Sequence, residues 1–169
     1  DDGMLNIVET TAQDLAAIRA LWADGEVMRF VGFPQGLHKT PAEMQAWLER
    51  ISGRRPRANH YSIYDDGVYC GETFYAIDAQ GRAMMDIKLL PAARGRGIAV
   101  RALRFAIARA FENGAVSAWV DPDPGNEKAL ALYRRVGMEQ KSTPPDLFNP
   151  DYPQVLFFEI TRDAFLHNA

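Results

Sequence analysis

A chain of 169 residues, 47% hydrophobic and 24% charged, is sized and composed for one globular domain with a real core. Its net charge of −3 argues against nucleic acid as a partner and is compatible with a cationic substrate. The lone cysteine, Cys70, excludes a disulfide framework, and the absence of a long apolar run or a signal-like start gives the expectation of a cytoplasmic protein away from membranes.

Asp1–Gly3 read as an expression remnant ahead of Met4, with one domain over 1–169. A first strand is expected over 5–9. Thr11 and Asp14 then open a helix whose apolar positions Leu15, Ile18, Leu21 and Trp22 recur at helical spacing, with Gly25 as its stop. Residues 26–36 read as an irregular or short helical link. Thr40, Pro41 and Glu43 give a second helix a cap, a first-turn proline and a capping box, and Gly53 its end. The aromatic and β-branched stretch that follows, punctuated by Asp66-Gly67 and Gln80-Gly81, predicts three antiparallel strands near 60–65, 68–77 and 82–90.

A glycine corner, "RGRGIA", comes next and opens a helix over about 97–113 with Leu103, Ala106, Ile107, Ala110 and Phe111 as its buried stripe. A strand near 115–120 follows, then a helix capped by Asn126 and closed by Gly137. Two strands, "MEQKS" and "VLFFEIT", flank a proline-rich loop. Strand–helix–strand from 82 to 120 has the length of a crossover, so those two strands should lie parallel in a mixed sheet. The expected class is α+β, with helices on both faces.

Backbone N–H groups at a glycine-opened helix start form a cradle for phosphate, and Arg94 and Arg96 would add charged donors. The competing reading of Gly95 and Gly97 is a tight strand-to-helix turn. A dinucleotide fingerprint fails because Val100 stands where its third glycine would be, and no Gly-Lys-Ser/Thr supports a Walker loop.

"RGRGIA" after one strand and "NEKALALYRRVGM" after the next resemble the GNAT superfamily of N-acetyltransferases, in particular the ribosomal-protein-alanine acetyltransferase (RimJ/RimL-like) type. The likeness covers nearly the whole chain. Arg94, Gly97 and Ala99 match the family's Arg/Gln-x-x-Gly-x-Gly/Ala signature. Asn126, Leu132, Tyr133 and Gly137 match its second element, with Met138 in place of the usual Phe.

The resemblance implies a central, mostly antiparallel sheet of about six to seven strands, with one parallel pair splaying at the cofactor site. It implies acetyl-CoA as co-substrate, its pyrophosphate on Arg94, Gly95, Arg96, Gly97, Ile98 and Ala99, and its pantetheine arm along Lys88, Leu89 and Leu90. Asn126 and Tyr133 join the cofactor set, and no metal is expected. The implied activity is acetyl transfer to a small amine or a protein amino terminus, in a ternary complex of a monomer or homodimer. A silent acyl-CoA sensor is the alternative.

Such chemistry needs a base for the ammonium. Glu72 and Asp86 are the candidates, with Glu72 at the position where the family tends to keep an acid; either could instead pair with an arginine or face solvent. The resemblance makes Tyr133 the general acid toward the leaving thiolate, whereas helical periodicity alone makes it core. His38, His60 and His167 lack metal-ligand spacing, and Cys70 reads as packing. Trp22, Phe30, Phe33 and Tyr75 are candidates to wall the acceptor site, and Glu26, Asp146 or Asp151 to attract a cation.

Overall fold

A computed structural model describes residues 4–168; Asp1–Gly3, read above as a remnant, lie outside them. Seven strands form one open sheet in the order β1-β2-β3-β4-β5-β7-β6. The strands are β1 (Leu5–Glu9), β2 (Ala58–Asp65), β3 (Val68–Ile77), β4 (Arg82–Leu89), β5 (Ser117–Val120), β6 (Glu139–Lys141) and β7 (Phe157–Thr161). Every pairing is antiparallel except β4 with β5, as the crossover length requires.

The helices are α1 (Leu15–Ala23), α2 (Gly25–Met28), α3 (Pro41–Arg54), α4 (Ile98–Glu112), α5 (Glu127–Val136) and α6 (Arg162–His167). Helices α1 and α3 pack on β3 and β2 from one face, while α4 lies along β3 and β4 and contacts α5. The apolar stripe of α4 is buried as its spacing dictates: Leu103, Ala106, Ile107 and Ala110 sit in one core with Tyr75, Met85 and Phe158.

The predicted capping box of Thr40 with Glu43 forms, and Thr11, the expected cap, makes a second one with Asp14 on the 3-10 turn that leads into α1. Gly25 plays a different part from the expected stop. Asp24 closes α1, and its carboxylate caps α2, of which Gly25 is the first residue. A side chain at Gly25 would begin 2.2 Å from the Pro34 carbonyl oxygen, so close packing of the link selects glycine there. Helix α3 runs one residue past Gly53, and α6 is an addition: Thr161 caps it directly at the end of β7.

Two local features prepare the site. Beyond Met84↔Trp119 the β4–β5 pairing stops, although β4 stays paired to β3 as far as Leu89. The reason is written in the chain after Val120, where "DPDP" puts Pro122 and Pro124 in place of ladder donors. The second feature is Gly71, where the β2–β3 register shifts and an added Cβ would stand 2.0 Å from the Lys88 carbonyl oxygen. That approach is to rigid backbone. Gly71→Ala is therefore expected to cost about 3 kcal/mol, the upper end of overpacking, read as a lowered midpoint in urea unfolding.

Candidate functional site

The parting of β4 and β5 opens a cleft through the sheet, with a volume of about 130 Å³. Its walls come from four elements. Met85, Asp86, Ile87 and Lys88 line it from β4, Val120 from β5, and Asp121, Pro122 and Asp123 from the turn beyond; Asn126 and Tyr133 line it from α5, and Val27, Phe30 and Val31 from α2 and the turn after it.

At one end of the same strand lies the glycine corner. Gly95 and Gly97 both take left-handed backbone conformations, φ 80° and 75°, with open space where a Cβ would stand. Gly97 is the N-cap of α4, and no side chain caps that end, so the first-turn N–H groups around Ile98 and Ala99 are open to an acceptor. These donors suit a phosphate. The arginines are engaged meanwhile: Arg94 Nη1 is 2.8 Å from Glu26 Oε2, and Arg96 Nη1 is 3.0 Å from Asp65 Oδ2. Both guanidiniums are partly exposed and keep further N–H groups for an incoming anion. Along β4, the edge facing β5 has no strand partner after Met84, while the Leu90 N–H is already donated to the Cys70 carbonyl at 2.8 Å. Lys88 shares the parity of Leu90 and turns its backbone groups to β3, so Leu89 is the best placed of the three backbone positions expected to hold an extended arm. Asn126 caps α5 through Ala129 and also borders the cleft.

Tyr133 is buried and also reaches the cleft. Its ring packs against Phe158. Burial, then the charges of Asp86 and Asp121, push its hydroxyl well above the ordinary tyrosine value. It stays protonated at every working pH.

Glu72 stands one layer behind the cleft wall. It is 4% exposed, and its Oε1 accepts from Trp22 Nε1 at 2.9 Å and pairs with His60 Nε2 at 2.8 Å, while Lys88 Nζ lies 3.7 Å from Oε2. Burial works against the charge, yet His60, Lys88 and Trp22 outweigh it and hold the carboxyl near 2. Thr10 extends the chain, its hydroxyl 2.7 Å from His60 Nδ1 and 2.8 Å from Ser62 Oγ. On the cleft side Lys88 pairs with Asp86. Alternation along β3 and β4 produces this assembly, because Glu72 is paired with Lys88 and Ser62 and shares their face of the sheet.

Among the residues expected at the acceptor side, Phe30 lines the cleft. Trp22 is bound to Glu72. Tyr75 points to the opposite face, donating to the Pro56 carbonyl at 2.7 Å, since an odd position on β3 cannot share the face of Glu72. Asp146 is tied to Arg82 away from the cleft. Cys70 is buried, its thiol pushed up by burial. Asp121 and Asp123 escaped the sequence reading. Both follow a parallel strand, the position at which ligands gather in α/β sheets, and that rule was their one available signal. Partial desolvation, then the Asp86 charge, raise Asp121 above the ordinary carboxylate range.

The strand pair thus parts beside an uncapped, glycine-opened helix. The model of the family described as acetyltransferase (GNAT) domain matches residues 5–139, most of the chain, and the protein belongs to this family. It is an N-acetyltransferase with acetyl-CoA as co-substrate. Solved structures with the same fold include spermidine N-acetyltransferase from Vibrio cholerae, bound to CoA and spermine: 18% identity, TM-score 0.81, covering 97% of this chain and 99% of that one. The RimL ribosomal L7/L12 α-N-protein acetyltransferase with CoA superposes at TM-score 0.80 and 18% identity over 95% and 96% of the two chains. The aminoglycoside acetyltransferase AAC(6')-Ib with CoA follows at 0.78 and 19%, over 96% and 98%. Among curated proteins no match is found. No helix among the described residues is long and apolar enough to cross a membrane, and none of their side chains group to hold a metal.

Replacing Glu72 by Gln leaves His60 and Lys88 without their shared anion, a loss of about 3 kcal/mol or more for a buried pair. The folded carboxyl titrates near 2 against an ordinary 4.5, so its stabilisation is complete above pH 4.5 and fades as pH falls toward 2. The contribution of the Glu72 carboxylate to the stability gap between wild type and Glu72→Gln in urea unfolding is expected to narrow as pH falls below 4.5.

Proposed function

We propose that the protein acetylates a primary amine on a cationic acceptor by direct attack with both substrates bound, with Asp121 accepting the ammonium proton and Tyr133 donating to the departing sulfur. The observation that carries this reading is the meeting of Asp86, Asp121, Asp123 and Tyr133 around one cleft where two parallel strands part.

Acetyl-CoA supplies, when bound, a thioester carbonyl open to attack by a neutral amine. The chain's own residues do the rest. The corner from Arg94 to Ala99 would receive the pyrophosphate on open backbone N–H groups, with Arg94 and Arg96 loosening their hold on Glu26 and Asp65 to share it. The free edge of β4 near Leu89 would align the arm, and a backbone N–H there could stabilise the carbonyl oxygen as it gains charge.

The acceptor nitrogen arrives protonated, since an alkylammonium titrates at about 10.4. A carboxylate takes that proton better the nearer its own pKa lies to the working pH. Asp121, raised and at the cleft, is shifted in that direction, and Glu72 is shifted the other way. Glu72, held near 2 by His60, the nearby Lys88 ammonium and Trp22, is suited to fixing Lys88, and through it Asp86, behind the reacting groups. Tyr133, kept protonated and with no hydrogen bond to its hydroxyl among the described residues, is suited to hydrogen-bonding a developing thiolate.

Asp at position 97 would bring a side chain strained by the left-handed backbone and a negative charge into the phosphate corner. Gly97→Asp is expected to lose more than about tenfold in acetyl-CoA affinity by calorimetry. Near wild-type affinity would put the cradle elsewhere.

Loss of a general base or acid costs roughly 10²–10⁴-fold in rate. Asp121→Asn should lower kcat/KM by about that factor near neutral pH and regain part of it above pH 9, where free amine is plentiful. Tyr133→Phe should lower kcat similarly at all pH values while melting near wild type and binding acetyl-CoA normally. A pH-independent loss in the first, or near-normal turnover in the second, would remove the assigned role.

A further inference from the structure

The cleft has two unlike kinds of lining, and proton transfer uses only one of them. Besides Asp121 and Asp123, the cleft is lined by Val27, Phe30 and Val31. Protein does not cover these last two: Phe30 is 37% and Val31 47% exposed. The guanidinium of Arg29 lies 4.6 Å from the Phe30 ring centroid and helps to hold that ring in place. The apolar surface continues outward through Phe33, 40% exposed, and the proline-rich loop comes to meet it: the Tyr152 hydroxyl is 3.7 Å from the point where a side chain on Gly32 would begin. Large apolar side chains gathered exposed at the rim of a reactive cleft mark a contact surface.

The charges near the cleft are largely spoken for. Asp86 pairs with Lys88, and Glu26, paired with Arg94 until the glycine corner is filled, does not line the cleft. Asp121 and Asp123 have no ion pair among the described residues, which leaves anionic capacity for one ammonium head and little more.

Building on the transferase reading, we propose that the acceptor is a small amphipathic monoamine, its ammonium toward Asp121 and Asp123 and an aromatic or branched apolar body against Phe30 and Val31. A linear polyamine would bring surplus charge against an apolar wall. An aminosugar would have to desolvate hydroxyls there without partners, which is costly. An aryl ring gains area burial and favourable ring geometry on Phe30 instead.

The test compares 2-phenylethylamine, spermidine, kanamycin and an alanine-terminated peptide in two assays. One is free-thiol release from acetyl-CoA, and the other is calorimetric titration of each amine into the enzyme–CoA complex. 2-Phenylethylamine should exceed the other three by about tenfold or more in kcat/KM. Phe30→Ser and Val31→Ser, at exposed positions, should each erase most of that preference with melting temperature and acetyl-CoA affinity unchanged. Spermidine, kanamycin or the peptide equalling 2-phenylethylamine would overturn the amphipathic acceptor while leaving the transferase intact. Phe30-dependent binding of 2-phenylethylamine without thiol release from any amine would support the acceptor class and overturn the transferase reading. Failure of 2-phenylethylamine both to bind and to react would overturn the proposal outright.

Discussion

Everything at the site depends on the place where one parallel strand pair stops. Arg82, Ala83 and Met84 pair with Ser117, Ala118 and Trp119, and then the two strands diverge. Strand β4 can leave its neighbour without fraying because β3 holds it on the other edge as far as Leu89. Strand β5 is drawn away by β7, which pairs with it through Val120, and Pro122 has no N–H with which to rejoin β4. The divergence thus rests on two antiparallel partners and one imino acid. It yields a free backbone edge, a hole through the sheet and a view of α5 from the opposite face.

A hole through a sheet would be a liability without something stiff behind it. The buried chain from Thr10 through His60, Glu72 and Lys88 to Asp86 supplies that stiffness, and its members come from the loop after β1 and from β2, β3 and β4. In a low-dielectric setting each bond in such a chain is strong, and any unmatched member is costly, so the group holds one arrangement. Trp22 ties α1 to the same carboxylate, and Trp47 stacks edge-on both Trp22 and His60. The helical layer over this face is therefore registered to the strand that carries the reactive edge.

Local signals were legible in the sequence, and convergent ones were not. Thr40-Pro41-Glu43 announces a helix start because all the chemistry lies within four residues. The glycine corner is legible for the same reason, and so is the crossover that makes β4 and β5 parallel. Gly25 was misread because a stop and a close approach both select glycine, and the Pro34 carbonyl it meets is nine residues away. Helix α6 spans too few residues to display a period. The surroundings of Glu72 lay out of reach, since Trp22 is fifty residues distant and strand register decides which side chains meet it. The partners of Arg94 and Arg96, at Glu26 and Asp65, are equally remote in sequence. Asp121 sits in a turn, where no periodicity marks it.

Glu72, the acid favoured in the sequence, and Asp121, which the sequence reading passed over, illustrate how environment divides like groups. Glu72 is the more buried, and burial alone would raise it. His60, Lys88 and Trp22 reverse the sign and make it a fixed anion near 2. Asp121 is the less buried and is raised, first by partial desolvation and then by the Asp86 carboxylate. Donors around the one, and desolvation with a like charge beside the other, move the two in opposite directions. A carboxylate on the paired side of the divergence acquires donors from adjacent strands. One just beyond it faces an acid across the gap and waits for a cation to arrive with the substrate.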